Sequence, residues 1–388
     1  MKKNESAQAR SWSVDWTNSL FLIGYHLLLA ILLPIYLIQS FPSASLIWWT
    51  VGLGAASLLA ITMGYHRLYA HKTFTTHPAI EAVLIFFGTF ATEGSILSWS
   101  HDHRIHHKHV DTELDPYSAP DGFWHSHVLW MLKKRPEINP RVIHDLVKRP
   151  ALQLQHDKYG YFMVAANAIG IGFLWAMTGD LFGAFVIGTL VRMFVVHHCT
   201  WFINSLAHMW GSQPYSTEHT AVNNFILSFL TFGEGYHNYH HTFAGDYRNG
   251  VRWYQFDPPK YFIWALSKIG LAHNLKSVNK ITIKRNLVAA DRHLMVERIQ
   301  ALSIKIDHEA WITRIEEAAA SLIENLNGLK TASDRYQKLK AQKDEEVIIL
   351  QAKIKEVKAI VASEMAEWKK MCHLILETSE HKLALQMG

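Results

Sequence analysis

Four stretches of this chain are long, apolar and almost free of charge. Trp16 to Phe41 and Ser45 to Gly64 form one pair, and Tyr159 to Thr178 and Leu181 to Leu206 form another, separated only by Gly179 and Asp180. A hydrocarbon core roughly 30 Å thick needs about 20 apolar residues in a helix, so each stretch reads as a membrane span. Backbone polar groups in lipid must be satisfied within the segment, which leaves helix as the structure. Arg192 is the single acidic or basic residue, histidine aside, inside the four stretches and needs a buried partner. The expected fold is therefore an all-α integral membrane protein with four transmembrane helices in two hairpins.

A fifth apolar segment, Ala79 to Trp99, contains Glu81 and Glu93. A crossing there would place the histidines that follow it on the opposite side from those that precede it. The segment is therefore expected to enter and return, or to lie in the interface. Lys2, Lys3, Arg10, Lys72, Arg104, Lys108, Lys133, Lys134, Arg135 and Arg141 all fall on one side of this topology, whereas the loops near Pro42 and Gly179 carry no Lys or Arg. The positive-inside bias makes that side, with both termini, cytoplasmic. The first apolar run is too long for a secretory signal and lacks a small-residue cleavage site, so the first helix is expected to be kept. The net charge of +5 reads as topology charge, and no nucleic-acid partner is expected. With only Cys199 and Cys372 present, neither a disulfide framework nor a thiolate metal cluster is available.

Histidines gather at the cytoplasmic ends of these runs. His66 and His71 close the second span, His103, His106 and His107 follow the fifth segment, and His237, His240 and His241 follow the fourth span. Asn204 and His208, again four apart, stand at that span's end. Residues at i, i+3 and i+4 share one helical face, while adjacent histidines diverge by about 100° around the axis. Neighbouring rings can thus serve different ions. Neutral imidazole suits iron, zinc or copper, and nine rings exceed what one tetrahedral ion takes, so the count points to two metals.

Several residues outside the clusters carry competing readings. Glu93 is expected to face the protein interior, near a substrate headgroup or in a satisfied packing role. Asp102, Asp115 and Asp246 either orient ligand rings through the second ring nitrogen or cap helices. His197 and His198 are partners of ligands or ordinary buried histidines. Trp201 lines a substrate path or anchors at the interface. Gly54 and Leu58, about three and two turns before His66, are candidates for the end of an apolar tunnel, where Gly54→Trp would shorten the preferred chain.

The composition changes beyond about Asn279, since proline does not occur after Pro259 and Lys, Glu and Ala become frequent. Trp311, Ile315, Ala318, Leu322, Leu326 and Leu329 recur at helical spacing, as do Leu350, Ile354, Val357, Val361, Met365 and Trp368. Two amphipathic helices follow, with Asp334 to Glu346 either a turn between them or a continuation of one. The division is 1–279 as the membrane domain and 280–388 as a helical hairpin or coiled-coil extension for packing or oligomerisation.

Taken together, His66-Arg-Leu-Tyr-Ala-His71, Asp102-His103-Arg-Ile-His106-His107-Lys108, Asp115-Pro116-Tyr117, Trp201-Phe-Ile-Asn204-Ser-Leu-Ala-His208 and Gly233-Glu-Gly-Tyr-His237-Asn-Tyr-His240-His241 resemble the membrane fatty acid desaturases. The likeness is to the stearoyl-CoA type, which places a cis double bond at carbon 9. It runs from about Trp16 to Lys276 and is of bacterial character, implying an inner-membrane location. The resemblance implies a cytoplasmic helical cap holding two iron ions. It assigns His66, His71, His103, His106 and His240 to one, and His107, His208, His237 and His241 to the other, with Asn204 reaching the latter through water. Dioxygen is the implied co-substrate and an acyl-CoA or a membrane lipid the implied substrate. No G-x-G-x-x-G after a strand and no haem motif is visible, so electrons would come from a separate NAD(P)H-dependent reductase, directly or through a ferredoxin- or cytochrome-type carrier. His101 stands where animal acyl-CoA desaturases usually have arginine, which puts a CoA-phosphate contact there in question. A fatty acid or alkane hydroxylase built on the same histidines is the rival activity.

Overall fold

The computed structural model describes residues 13–303, 306–342, 346–380 and 383. The charges at Lys2, Lys3 and Arg10 lie outside them. The chain divides into two compact units, one of residues 1–211 with 220–277, the other of 278–388 with the loop 212–219.

In the first unit, four helices are long and apolar enough to cross a membrane: Trp16–Gln39, Ala44–Ala70, Tyr159–Thr178 and Leu181–His208. They are the four stretches expected from the sequence. Helix α1 (Trp16–Gln39) starts where Asp15 accepts from Asn18 N, and α2 (Ala44–Leu59) where the Ser43 hydroxyl accepts from Leu46 N. Below Leu59 the second span turns π-helical, Ala60–Ala70.

A short antiparallel ladder, β1 (Thr75–Thr76) with β2 (Ala272–His273), then turns the chain. Helix α3 (Pro78–Phe90) packs along the second and third spans. Its 13 residues are too few to cross, and α4 (Ile96–His109) returns from the Ala91–Ser95 turn. The segment is therefore not a fifth span. Glu81 is paired with Arg149 at 2.6 Å.

Short helices α5 (Phe123–His127) and α6 (Pro150–Asp157) lead into α7 (Tyr159–Thr178). Gly179, at φ 73°, makes the left-handed turn, and Asp180 caps α8 (Leu181–Phe185). A π-helical step, Val186–Val191, leads to α9 (Arg192–Asn204). The Tyr36 hydroxyl donates to Asp180 Oδ2 at 2.6 Å, so the two hairpins are fastened together at their turn ends. Arg192, 2% exposed, has no carboxylate among its hydrogen-bond partners. Its guanidinium donates to Gly188 O, Ser57 Oγ, Phe90 O and Asn167 Oδ1 and lies 3.7 Å from the Phe90 ring centroid.

The unit is completed by α10 (Phe225–Leu230), α11 (His237–Thr242) and α12 (Pro258–Lys268). The second unit holds α13 (Lys280–Ala301), α14 (His308–Gln342) and α15 (Glu346–Cys372) around Val288, Met295, Ile315, Leu322, Leu326, Val361 and Trp368. Sequence periodicity anticipated the last two helices but not α13. Helix α14 continues through Asp334 to Gln342 and then packs against α15 as a hairpin.

Candidate metal centre

His66 and His71 are five residues apart, a spacing that an α-helix would spread by about 140°. The π-helical turn removes that separation: His71 N donates to His66 O, and the two ring centroids lie 4.7 Å apart. π-turns are rare and concentrate at functional sites. On α4, His103, His106 and His107 share the inner face, with Trp99 stacked on His103 at 4.8 Å. The third cluster sits on α11, which begins two residues after Gly235. A Cβ there would strike Ser228 N, so glycine allows that backbone to close against α10.

Nine ring nitrogens converge in two groups. His66, His71, His103, His107 and His240 form one, His106, His208, His237 and His241 the other, with the ligand atoms of each group within 4.8 Å of one another. In the first, Nε2 separations are 2.8 Å for His71–His103 and His107–His240 and 2.9 Å for His66–His240. In the second they are 3.1 Å for His208–His237 and His237–His241 and 3.2 Å for His106–His241. The groups touch where His107 and His241 stack at 4.2 Å.

This sorting corrects the expected one at two positions: His107 joins His66, His71, His103 and His240, and His106 joins His208, His237 and His241. Helix geometry gives the reason. A residue four on from His103 is displaced by about 40° and one three on by about 60° in the opposite sense, so His107 shares His103's side and His106 turns away.

Several of the second ring nitrogens are held. His106 Nδ1 donates to Asp115 at 2.9 Å, and His66 Nδ1 lies 3.0 Å from Glu234 Oε2. His208 Nδ1 donates to Thr220 Oγ1 at 2.8 Å, whose hydroxyl donates to Asp111 Oδ1 at 2.6 Å. His103 Nδ1 donates to the Tyr117 hydroxyl at 3.2 Å. A proton fixed on Nδ1 leaves the Nε2 lone pair for a metal. Burial, followed by neighbouring rings and cations, pushes the pKa of His71, His103, His107, His240 and His241 well below the ordinary value, which keeps these imidazoles neutral. Convergent neutral nitrogen donors with oriented rings fit one transition-metal ion per group.

Charged anchors brace the two sides. Buried Arg67 donates to Glu234 Oε1 and Tyr247 O and pairs with Asp257 at 2.9 Å. Arg104 makes a two-pronged contact with Asp145 and donates to the Tyr69 and Ala70 carbonyls that end the second span. Arg104 also holds the Asp145 carboxyl below its ordinary range. Glu234, Thr220 and Asp111 were not singled out from sequence, and Arg104 only as a topology charge, since their partners are distant in the chain. Glu234 does lie inside the Gly233 to His241 motif. Asp102 meets His101 and Arg135, and Asp246 meets Tyr239 and Arg248. His197 bonds Tyr25 and Thr92, and His198 meets His26 and His127, so neither contacts a cluster.

A cavity runs beside both groups. It is lined by His66, His103, His237 and Asn204, by Leu58, Ile61 and Trp201, by Glu93, and by Asn18, Asp102 and Arg135. Burial pushes the Glu93 carboxyl up to about 8, while the Thr200 hydroxyl, donating at 2.6 Å, draws it part of the way back. Gly54 is not among the lining residues, and a Cβ there would lie 3.7 Å from Arg192 Cγ.

Fold and site together define a helical membrane protein with two adjoining histidine groups beside an elongated, mostly apolar cavity. The family model for fatty acid desaturases matches residues 43–266, and the chain belongs to that family. It is 41% identical over 240 residues to the "Probable acyl-CoA desaturase" of Schizosaccharomyces pombe, covering 60% of this chain and 50% of that protein. It is 36% identical over 287 residues to acyl-CoA desaturase 1 of Saccharomyces cerevisiae, covering 72% and 55%. The sn-1 stearoyl-lipid 9-desaturase of Anabaena variabilis is 35% identical over 272 residues, covering 69% and 96%. The chain thus spans about half the length of the two yeast relatives and nearly all of the Anabaena one.

Proposed function

We propose that this chain is an oxygen-dependent desaturase that introduces a cis double bond at carbon 9 of a saturated acyl-CoA. The observation that carries the reading is one cavity whose wall holds rings of both histidine groups together with Leu58, Ile61 and Trp201. An unactivated methylene has no useful acidity, so no side chain in the wall can begin the reaction. Two iron ions, one in each histidine group, would supply the oxidising power when bound. The protein's own part is positional. Leu58, Ile61 and Trp201 exclude water and hold the alkyl chain so that one methylene pair faces the histidines. Asp115 and Thr220 keep Nδ1 protons in place, Glu234 stands beside the His66 ring, and Asn204, in the cavity wall with His237, would reach the second ion through water.

The Asp102–Arg135 pair, 2.6 Å apart, gives the cavity a polar end suited to a thioester or headgroup. Dioxygen, two protons and two electrons from a separate NAD(P)H-dependent reductase, through a ferredoxin- or cytochrome-type carrier, complete the balance, with two waters leaving beside the new double bond. The lack of Lys and Arg in the hairpin turns, set against Lys72, Arg104 and Lys133 to Arg135 near the site, supports a cytoplasmic active site in a bacterial inner membrane. Residues 280–388 are assigned to a packing or oligomerisation extension.

A second reading concerns the acyl carrier alone. His101 is turned inward, with Nδ1 on Asp102 and Nε2 accepting from Asn139 N, so both ring nitrogens are already engaged. Together with the name and coverage of the Anabaena relative, this favours chains already esterified in lipid. The test is mass spectrometry of total fatty acids, with double-bond position, from an aerobic host lacking its own desaturase and expressing the chain or its His107→Ala variant. A cis-9 monoene with the intact chain alone is expected. Hydroxy acids would instead establish the hydroxylase, and labelled acyl-CoA against labelled phospholipid separates the carriers.

A further inference from the structure

The first unit carries a large apolar surface that the metal centre does not use. On α10, Phe225 is 75% and Phe229 64% exposed, and Trp253 in the following loop is 86% exposed. Tyr254, Tyr261, Phe262, Trp264 and Ile269 are at least half-exposed or nearly so. The patch is continuous: Phe229 and Phe256 rings lie 5.0 Å apart, and the Tyr261 hydroxyl donates to Trp253 O at 2.6 Å. It is also held rigid. The Lys260 ammonium, 6% exposed, donates to Gly250 O, Arg252 O and Gln255 O at 2.5, 2.8 and 3.1 Å, clamping the loop that displays Trp253 and Tyr254. Apolar surface of this extent marks an interaction site rather than scattered exposure.

Its chemistry and position point to one occupant. Tryptophan and tyrosine mixed with cations are the residues of the membrane–water interface. Arg252 donates to the Tyr254 hydroxyl at 2.8 Å, and Lys268 lies 5.4 Å from the Trp264 ring centroid, so lipid phosphate would meet positive charge at the patch edge. Helix α10 packs against α9 of the fourth span, and α12 against the π-helical end of the second. The patch therefore continues the apolar surface of the spans where they end. We infer that α10, the 250–256 loop and α12 form a second, non-spanning anchor that seats this part of the unit in the headgroup region of the leaflet, deepening the membrane reading on which it rests.

The test uses the full chain with Cys199→Ser and Cys372→Ser, spin-labelled singly at Phe229→Cys, Trp253→Cys or Trp264→Cys. Ile31→Cys on α1 and Glu137→Cys serve as lipid and water references. In nanodiscs of phosphatidylcholine with phosphatidylglycerol, the patch labels should collide with oxygen and show a nickel-to-oxygen collision ratio at least tenfold below that at Glu137. A ratio like that at Glu137 overturns the anchor while Ile31 still reports lipid; failure at Ile31 overturns the membrane reading itself. Dipolar broadening between copies, with shielding from both colliders, would assign the patch to a second copy instead and also overturns the anchor. Hydroxyl-radical footprinting of the unlabelled chain gives the same decision without cysteine variants: Trp253, Tyr254 and Trp264 should be protected severalfold in nanodiscs, and unprotected rings overturn the proposal.

Discussion

His66 Nδ1 lies 3.0 Å from one carboxylate oxygen of Glu234, and the other oxygen accepts from Arg67, the residue that follows His66 in the chain. One buried carboxylate thus orients a metal-facing ring and neutralises the cation that fixes the end of the second span.

Glu234→Gln should leave the cavity in place but remove the negative charge beside His66 Nδ1 and Arg67. Loss of such an outer partner costs about 10–100-fold in metal affinity. Iron titration monitored by elemental analysis is expected to show that loss. Glu234→Ala should also unfold earlier, by about 3–5 kcal/mol, because it strands buried Arg67.

The sorting of the rings predicts which double variants interact. His107→Ala and His71→Ala fall in one group, so the pair should cost little more bound metal than either alone. His107→Ala with His208→Ala should empty both groups. Metal-to-protein ratios near one for the first pair and near zero for the second are expected; equal ratios would return His107 to the other group.

Arg104→Lys removes the two-pronged contact with Asp145 and two carbonyl caps, which a lysine point charge does not replace. A loss of about 1–3 kcal/mol in unfolding stability is expected, with reduced iron retention because the Ala70 carbonyl adjoins His71. Thermal unfolding in detergent, followed by iron analysis, measures both.

Glu93 gives a pH signature. Its folded carboxyl titrates near 8, above the ordinary 4.5, so its favourable contribution is full below about 4.5 and is lost as pH rises through 8. Glu93→Gln should therefore match the parent near pH 5 and gain on it up to about pH 8, with no further gain above, by at most a few kcal/mol. Paired melting curves at pH 5, 7 and 9 check the sign; a gap that narrows with rising pH would reverse the assignment.

Of the two candidates for chain-length control, Leu58 lines the cavity and Gly54 does not. Leu58→Trp fills the cavity beside Ile61 and should move the product profile toward shorter chains. Gly54→Trp should instead disturb Arg192 and lower stability without moving the profile. Acyl-chain analysis of the two variants side by side distinguishes these outcomes.

Much of the architecture was legible because hydrocarbon imposes a simple rule. Charge-free runs of fixed length gave the four spans, and His103 to His107 advertised their shared face by spacing alone. The missing parts depend on contacts far apart in sequence. Glu234 reaches His66 across 168 residues, and Thr220 reaches Asp111 across 109. The exchange of His106 and His107 turned on an angular difference that spacing rules treat as equivalent. Helix α13 carries Lys, Arg and His between its apolar residues, which blurred its period.

The π-helical segment before His71 has a mechanical consequence. A π-turn is an α-helix with a residue to spare, so the second span changes phase by about 100° between its two halves. The half among the other spans and the half bearing His66 and His71 are therefore free to face different directions, each to its own surroundings. Deleting one residue between Ala60 and Tyr65 would rejoin the phases and swing both histidines away from the rings of His103, His107 and His240, while an insertion in the turn after Gln39 would leave both untouched.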